Sequence, residues 1–121
     1  MYNKIAELVT AAEESGKPIS ELMLLQEMAK SHRTREEIWE QMRNNYHVMK
    51  AAVEKGLTGD GVFSPTGLTG GEAVKLRNYR QRGNTLSGDD LLIAVESAIA
   101  TNEVNASLGI ICATPTAGSS G

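Results

Sequence analysis

Cysteine, aromatic residues, basic excess and long apolar runs are all scarce or missing in this 121-residue sequence, and each shortage excludes something. One cysteine, Cys112, cannot close an internal disulfide, which agrees with a reducing compartment. With one Trp, one Phe and three Tyr, the core must be built from Leu, Ile, Val, Met and Ala, a supply that suits helix-on-helix packing. Twelve basic against fifteen acidic residues give a net charge of −3, which removes the broad attraction a polynucleotide binder needs. No run of about 18 apolar residues exists to span a bilayer, and the acidic start MYNKIAELVTAAEE does not resemble a signal peptide. The expectation is a cytoplasmic chain that engages neither nucleic acid nor membrane.

What is present reads as helix. At 40% hydrophobic and 22% charged, the composition is that of an ordinary globular domain. Ile5, Leu8, Val9 and Ala12 recur at spacings of three and four, predicting a helix over about residues 2–14 that Gly16 and Pro18 end. A second helix is expected after Ser20 as cap, ending near Ser31. Thr34 and Glu37 have the form of a capping box opening a third helix, which Ile38, Met42, Met49 and Val53 continue to Lys55, with Gly56 as its left-handed stop. Residues 1–56 thus read as helical scaffold.

Residues 56–71, GLTGDGVFSPTGLTGG, hold six glycines in sixteen positions and predict a loop without regular structure. A fourth helix is expected over 72–82, with Ala73, Leu76 and Tyr79 inward and Lys75, Arg77, Arg80 and Arg82 mostly outward. Ser87 reads as the cap of a fifth helix over 91–107, apolar on so much of its circumference that it should be central and buried. Residues 108–113 suit either a strand or a continuation of that helix. The fold class is all-α, about five helices with a glycine-rich loop between the third and fourth.

Two segments rich in small residues are candidates for chemistry. Gly67, Gly70 and Gly71 precede the fourth helix, whose positive end could hold a carboxylate or phosphate beside the hydroxyls of Ser64, Thr66 and Thr69; a chemically idle surface loop explains the same glycines. The turn Thr114-Pro115-Thr116-Ala117-Gly118 is the second. Asn102, Glu103 and Asn105 interrupt an apolar helix, either to line a site or as a polar helix end. Cys112 has no His or Cys at ligand spacing and reads as a small buried side chain beside Ile110 and Ile111, so no metal ligand is assigned.

GDGVFSPTGLTGGEAVKL, LSGDDLLIAVESAIATNEVNASLG and ICATPTAG, in this order and spacing, resemble the alpha chain of the iron-sulfur-dependent L-serine dehydratases. The resemblance covers residues 56–121, and the helical start is similar in style. It implies an all-helical lyase that deaminates L-serine to pyruvate and ammonia with a [4Fe-4S] cluster as Lewis acid and no pyridoxal phosphate. Ser64, Thr66, Gly67, Thr114, Thr116, Ala117 and Gly118 would then be substrate-site walls, and Asn102, Glu103 and Asn105 would line or support them. No catalytic base is identified. The family's cluster cysteines lie beyond the TPTAG motif and Cys112 matches none of them, so the chain reads as the N-terminal part of such a domain, inactive alone. Its implied partners are the remainder of the alpha chain and a beta, regulatory chain or domain. The competing reading is an inert helical module for anion binding or interaction.

Overall fold

The computed structural model describes residues 2–113, which form five helices and no strand. They are α1 (Ile5–Ser15), α2 (Ile19–Ser31), α3 (Arg35–Thr58), α4 (Glu72–Gln81) and α5 (Asp89–Ala106). Two compact units divide within α3, between Asn44 and Asn45. No described helix is long and apolar enough to cross a membrane.

In the first unit α1 packs on α2, with Leu22 the buried apolar residue. Gly16, left-handed at φ 63°, ends α1 as expected. Ser20 does not cap α2. The helix begins one residue after Pro18, whose φ of −64° is set by its ring and whose carbonyl accepts the N–H groups of Glu21 and Leu22. The capping box is present in full: Thr34 N–H donates to Glu37 Oε2 at 2.7 Å, and Glu37 N–H donates to Thr34 Oγ1 at 3.2 Å. Arg35, the first residue of α3, forms a two-point ion pair with Glu21.

The second unit contains the C-terminal part of α3, the glycine-rich loop, α4 and α5. Ala52, Val62 and Val104 form its core with Ile111 against them, and Ala73, Leu92 and Ala100 are also buried. Gly56 does not stop α3. It lies inside the helix, where it lets the backbone of α5 approach at Ala100, and the left-handed turn falls instead on Gly59 at φ 80°. Similarly, Gly88 rather than Ser87 precedes α5, with no side-chain cap.

Two further expectations are corrected. Helix α5 buries one face through Leu92, Glu96, Ala100, Glu103 and Val104, while Leu91, Ile93 and Val95 are exposed, because α4, the loop and α3 cover a single side within this unit. On α4, Tyr79 is half exposed, whereas Arg80 turns toward α5 and grips Glu96 through two hydrogen bonds of 3.0 and 2.8 Å. Glu96 is itself buried, so this bidentate pair satisfies a carboxylate placed in the α4–α5 interface.

Residues 108–113 are neither strand nor helix. Leu108 N–H donates to the Asn105 carbonyl and Gly109 N–H to the Val104 carbonyl, the paired bonds of a Schellman stop. Leu108 therefore occupies the left-handed position, φ 64°, that glycine usually fills, and its side chain is 82% exposed. Leu108→Gly is expected to stabilise the unit by about 1 kcal/mol, since it relieves the left-handed strain and forfeits little packing. A denaturant midpoint that falls in this variant would contradict that account.

Candidate functional site

The glycine-rich loop is closed by its own hydrogen bonds. Ser64 N–H donates to the Thr69 carbonyl at 2.9 Å, Thr69 N–H donates to Ser64 Oγ at 3.3 Å, and Gly67 N–H donates to the Ser64 carbonyl at 2.8 Å. Ser64 Oγ and Thr66 Oγ1 lie 3.2 Å apart, one donating to the other. The pair has two hydrogens and spends one on this contact, so one hydroxyl hydrogen remains for an outside acceptor. The Gly67 N–H is thus committed to the turn. Thr66 and Gly67 are exposed and Ser64 is half-buried.

Gly70 returns the chain to α4. Its φ of 138° and its close approach to Phe63 and Val62 leave no room for a side chain. Gly71, left-handed at φ 86°, takes the N-cap position of α4 and has no side chain with which to cap it. The carboxylate of Glu103, reaching from α5, takes that role. Its Oε1 accepts the N–H of Glu72 at 2.6 Å and that of Ala73 at 3.4 Å. Glu72 in turn accepts the Gly70 N–H at 2.8 Å.

A continuous path therefore runs from the serine-threonine loop through Gly70 and Glu72 to Glu103. The positive end of α4, a candidate seat for an outside anion in one of the two readings of this loop, is occupied by the carboxyl of Glu103. Burial first and the neighbouring Glu72 second raise the Glu103 carboxyl above the usual glutamate range. Glu72 is held below that range, chiefly by its hydrogen-bonding contact with Glu103 and next by the Gly70 N–H.

Of the three polar residues on α5, the structure brings only Glu103 to the loop's anchor. Asn102 is exposed, as expected of a neighbour about 100° away around the helix. Asn105 is half-buried and serves through its carbonyl, which accepts Leu108 N–H in the helix stop. Thr114, Thr116, Ala117 and Gly118 lie outside the described residues. Cys112 is half-buried rather than enclosed, and Ile110 beside it is 81% exposed. Glu72 is a part of the site that the sequence reading does not name; an acidic residue directly after a glycine pair at a helix start is the available signal.

Together these features define an all-helical unit whose small-residue loop and α4 are fastened to α5 by a buried acid. The family model described as serine dehydratase alpha chain matches residues 14–121, and the chain belongs to that family. It is 53% identical over 121 residues to the probable L-serine dehydratase alpha chain of Bacillus subtilis (strain 168), all of this chain against 40% of that protein. It is 39% identical over 121 residues to the L-serine dehydratase alpha chain of Peptoniphilus asaccharolyticus, covering 41% of it. The L-serine dehydratase of Streptomyces coelicolor (strain ATCC BAA-471 / A3(2) / M145) is 37% identical over 120 residues, 95% of this chain and 25% of that one. The chain thus spans about two fifths of the length of the first two relatives. No solved structure matches it.

Proposed function

We propose that this chain forms the substrate-side part of a cytoplasmic L-serine dehydratase that releases pyruvate and ammonia from L-serine with a [4Fe-4S] cluster and without pyridoxal phosphate. The observation that carries the reading is the Glu103 anchor, which joins the NEVNA helix to the start of α4 in GDGVFSPTGLTGGEAVKL, two of the segments that bear the family resemblance. The names of the relatives support the reaction class.

A [4Fe-4S] cluster would supply a Lewis acid for the departing hydroxyl. The residues of this chain do not fit a cluster on their own. Its sequence has one cysteine, and the described residues contain no group of three His, Cys, Asp or Glu side chains placed to hold a metal. No step through the cluster is therefore assigned to this chain, and the thiolates are proposed to come from the remainder of the alpha chain, acting with a beta, regulatory partner. What this chain contributes is position. The Ser64–Thr66 hydroxyl pair offers its free O–H to the substrate carboxylate, while the turn bonds hold that pair at fixed spacing. An inert anion-binding module loses its principal support, because Glu103 already fills the helix end it would use.

The test is a chimera in which this chain replaces the corresponding N-terminal part of the Bacillus subtilis alpha chain, assayed anaerobically with its partner. Serine-dependent pyruvate formation is expected, and Thr66→Val should raise KM about tenfold through loss of one hydrogen bond to a charged group. A folded chimera that carries its cluster yet makes no pyruvate would overturn the proposal. The 121-residue chain alone, reconstituted with iron and sulfide, is expected to form neither a stoichiometric cluster nor pyruvate.

A further inference from the structure

The two oxygens of Glu103 have unequal surroundings. Oε1 accepts two N–H groups from the first turn of α4, whereas Oε2 is fully buried with no hydrogen-bond partner among the described residues. Glu103 as a whole is 3% exposed. A bare ionised oxygen in such a place is expensive, because it has given up water and received nothing in return. The acid that caps α4 also lies beside a second acid, Glu72, whose Oε2 is fixed by the Gly70 N–H. Two ionised carboxylates so close repel each other, and one proton between them removes both difficulties.

We infer that the Glu72–Glu103 pair holds a single proton, carried on Glu103 Oε2, and that this proton makes Glu103 a positioning residue for the loop at residues 64–67. With the proton in place, Oε2 carries an O–H instead of a bare charge, and Glu72 is the neighbouring acid with which the proton is shared. Oε1 remains the acceptor for Glu72 and Ala73 N–H. The buried negative charge disappears while the anchor through Oε1 is kept.

The opposite displacements of the two carboxyls agree with this arrangement. Charged groups acting on the pair are the two acids themselves and Lys75 of α4. The loop and the C-terminal part of α3 contribute the Gly70 N–H and the apolar Val62 and Ala52 to this unit's interior.

Linkage fixes the direction of the pH dependence. Glu103, raised above 4.5 in the fold, contributes stability that is fully present below 4.5 and is lost as the pH rises through its folded value. Glu72, lowered below 4.5, contributes stability that is present above 4.5 and is lost as the pH falls through its folded value. The anchor is therefore tightest between the two folded values, one below 4.5 and the other above it.

Carboxyl carbon NMR on the 121-residue chain measures both midpoints directly. Glu103 is expected to titrate above 4.5 and Glu72 below it, and Glu72→Gln should move the Glu103 midpoint down. Glu103→Gln keeps an acceptor for α4 and puts a permanent donor where the proton sits. At a pH between the two folded values, amide exchange at Glu72 and Ala73 should be as protected in that variant as in the parent, whereas Glu103→Ala should lose about tenfold or more. A Glu103 midpoint at or below 4.5 overturns the inference, as does a Gln variant as poorly protected as the Ala variant. The purpose given to the loop rests on the proposed function, but these readouts involve neither serine nor cluster, so failure here leaves the chimera result standing.

Discussion

Gly56→Ala is expected to destabilise the second unit by about 2 kcal/mol or more and to lower its thermal midpoint by about 10 °C. The sign is the informative part, since the same exchange within an open helix stabilises by about 1 kcal/mol. At Gly56 a new Cβ would lie 2.6 Å from both the Cα and the carbonyl carbon of Ala100, well inside an ordinary carbon contact of roughly 3.5–4.0 Å. Both atoms are backbone atoms of α5, so no side-chain rotation relieves the overlap and the two helices must separate. Separation would loosen the core at Ala52, Val62 and Val104, where two valines are the largest fully enclosed side chains. A core of such small groups has little area to lose before cooperativity fails. Unfolding followed by circular dichroism, with parent and variant compared, checks it; an unchanged or raised midpoint would mean that α3 and α5 do not meet there.

The same glycine shows why parts of this fold are legible in the sequence and parts are not. Gly56 follows Lys55 at the end of an amphipathic stretch, a pattern identical to a helix stop, and only the approach of Ala100 from forty-odd positions further along gives it another purpose. The Thr34–Glu37 capping box was legible because both partners lie within one helical turn. Ser20 and Ser87 suggest caps that the structure does not use, because Pro18 and Gly88 set the starts of α2 and α5 through backbone conformation, without a side-chain cap. Arg80 looked solvent-facing because its partner Glu96 is sixteen residues away on another helix.

For the candidate site the division is similar. The hydroxyls of Ser64 and Thr66 and the acid at Glu103 were visible as residue types in unusual settings. Their connection was not, since Glu103 reaches Glu72 across thirty-one positions and the link depends on a glycine pair that bares the end of α4. A helix start without a capping side chain is a set of N–H donors without acceptors, and a buried acid in an apolar helix is an acceptor in need of donors. Pairing such complementary deficits is the step that local pattern reading omits.

Gly70→Ala should have the second large effect, about 3 kcal/mol or more, by unfastening the loop from α4. A Cβ there would stand 2.7 Å from Phe63 Cα and 2.8 Å from the Val62 carbonyl oxygen, again backbone atoms, and φ 138° is a conformation that L-residues rarely adopt. To admit it, residues 62–63 and 70 must move apart, which breaks the Ser64–Thr69 closure next to them and withdraws the Gly70 N–H from Glu72. In the chimera described above, kcat/KM should fall by about a hundredfold or more, the rate equivalent of that displacement. Gly61→Ala is the matched control, because Gly61 is left-handed at φ 63° but a Cβ there meets nothing within 4 Å, leaving only a conformational cost of about 1 kcal/mol. Amide exchange at Ser64 and Gly67 read in both variants separates the two effects. If Gly70→Ala cost no more than Gly61→Ala, the close approach over Phe63 would have no part in holding the loop.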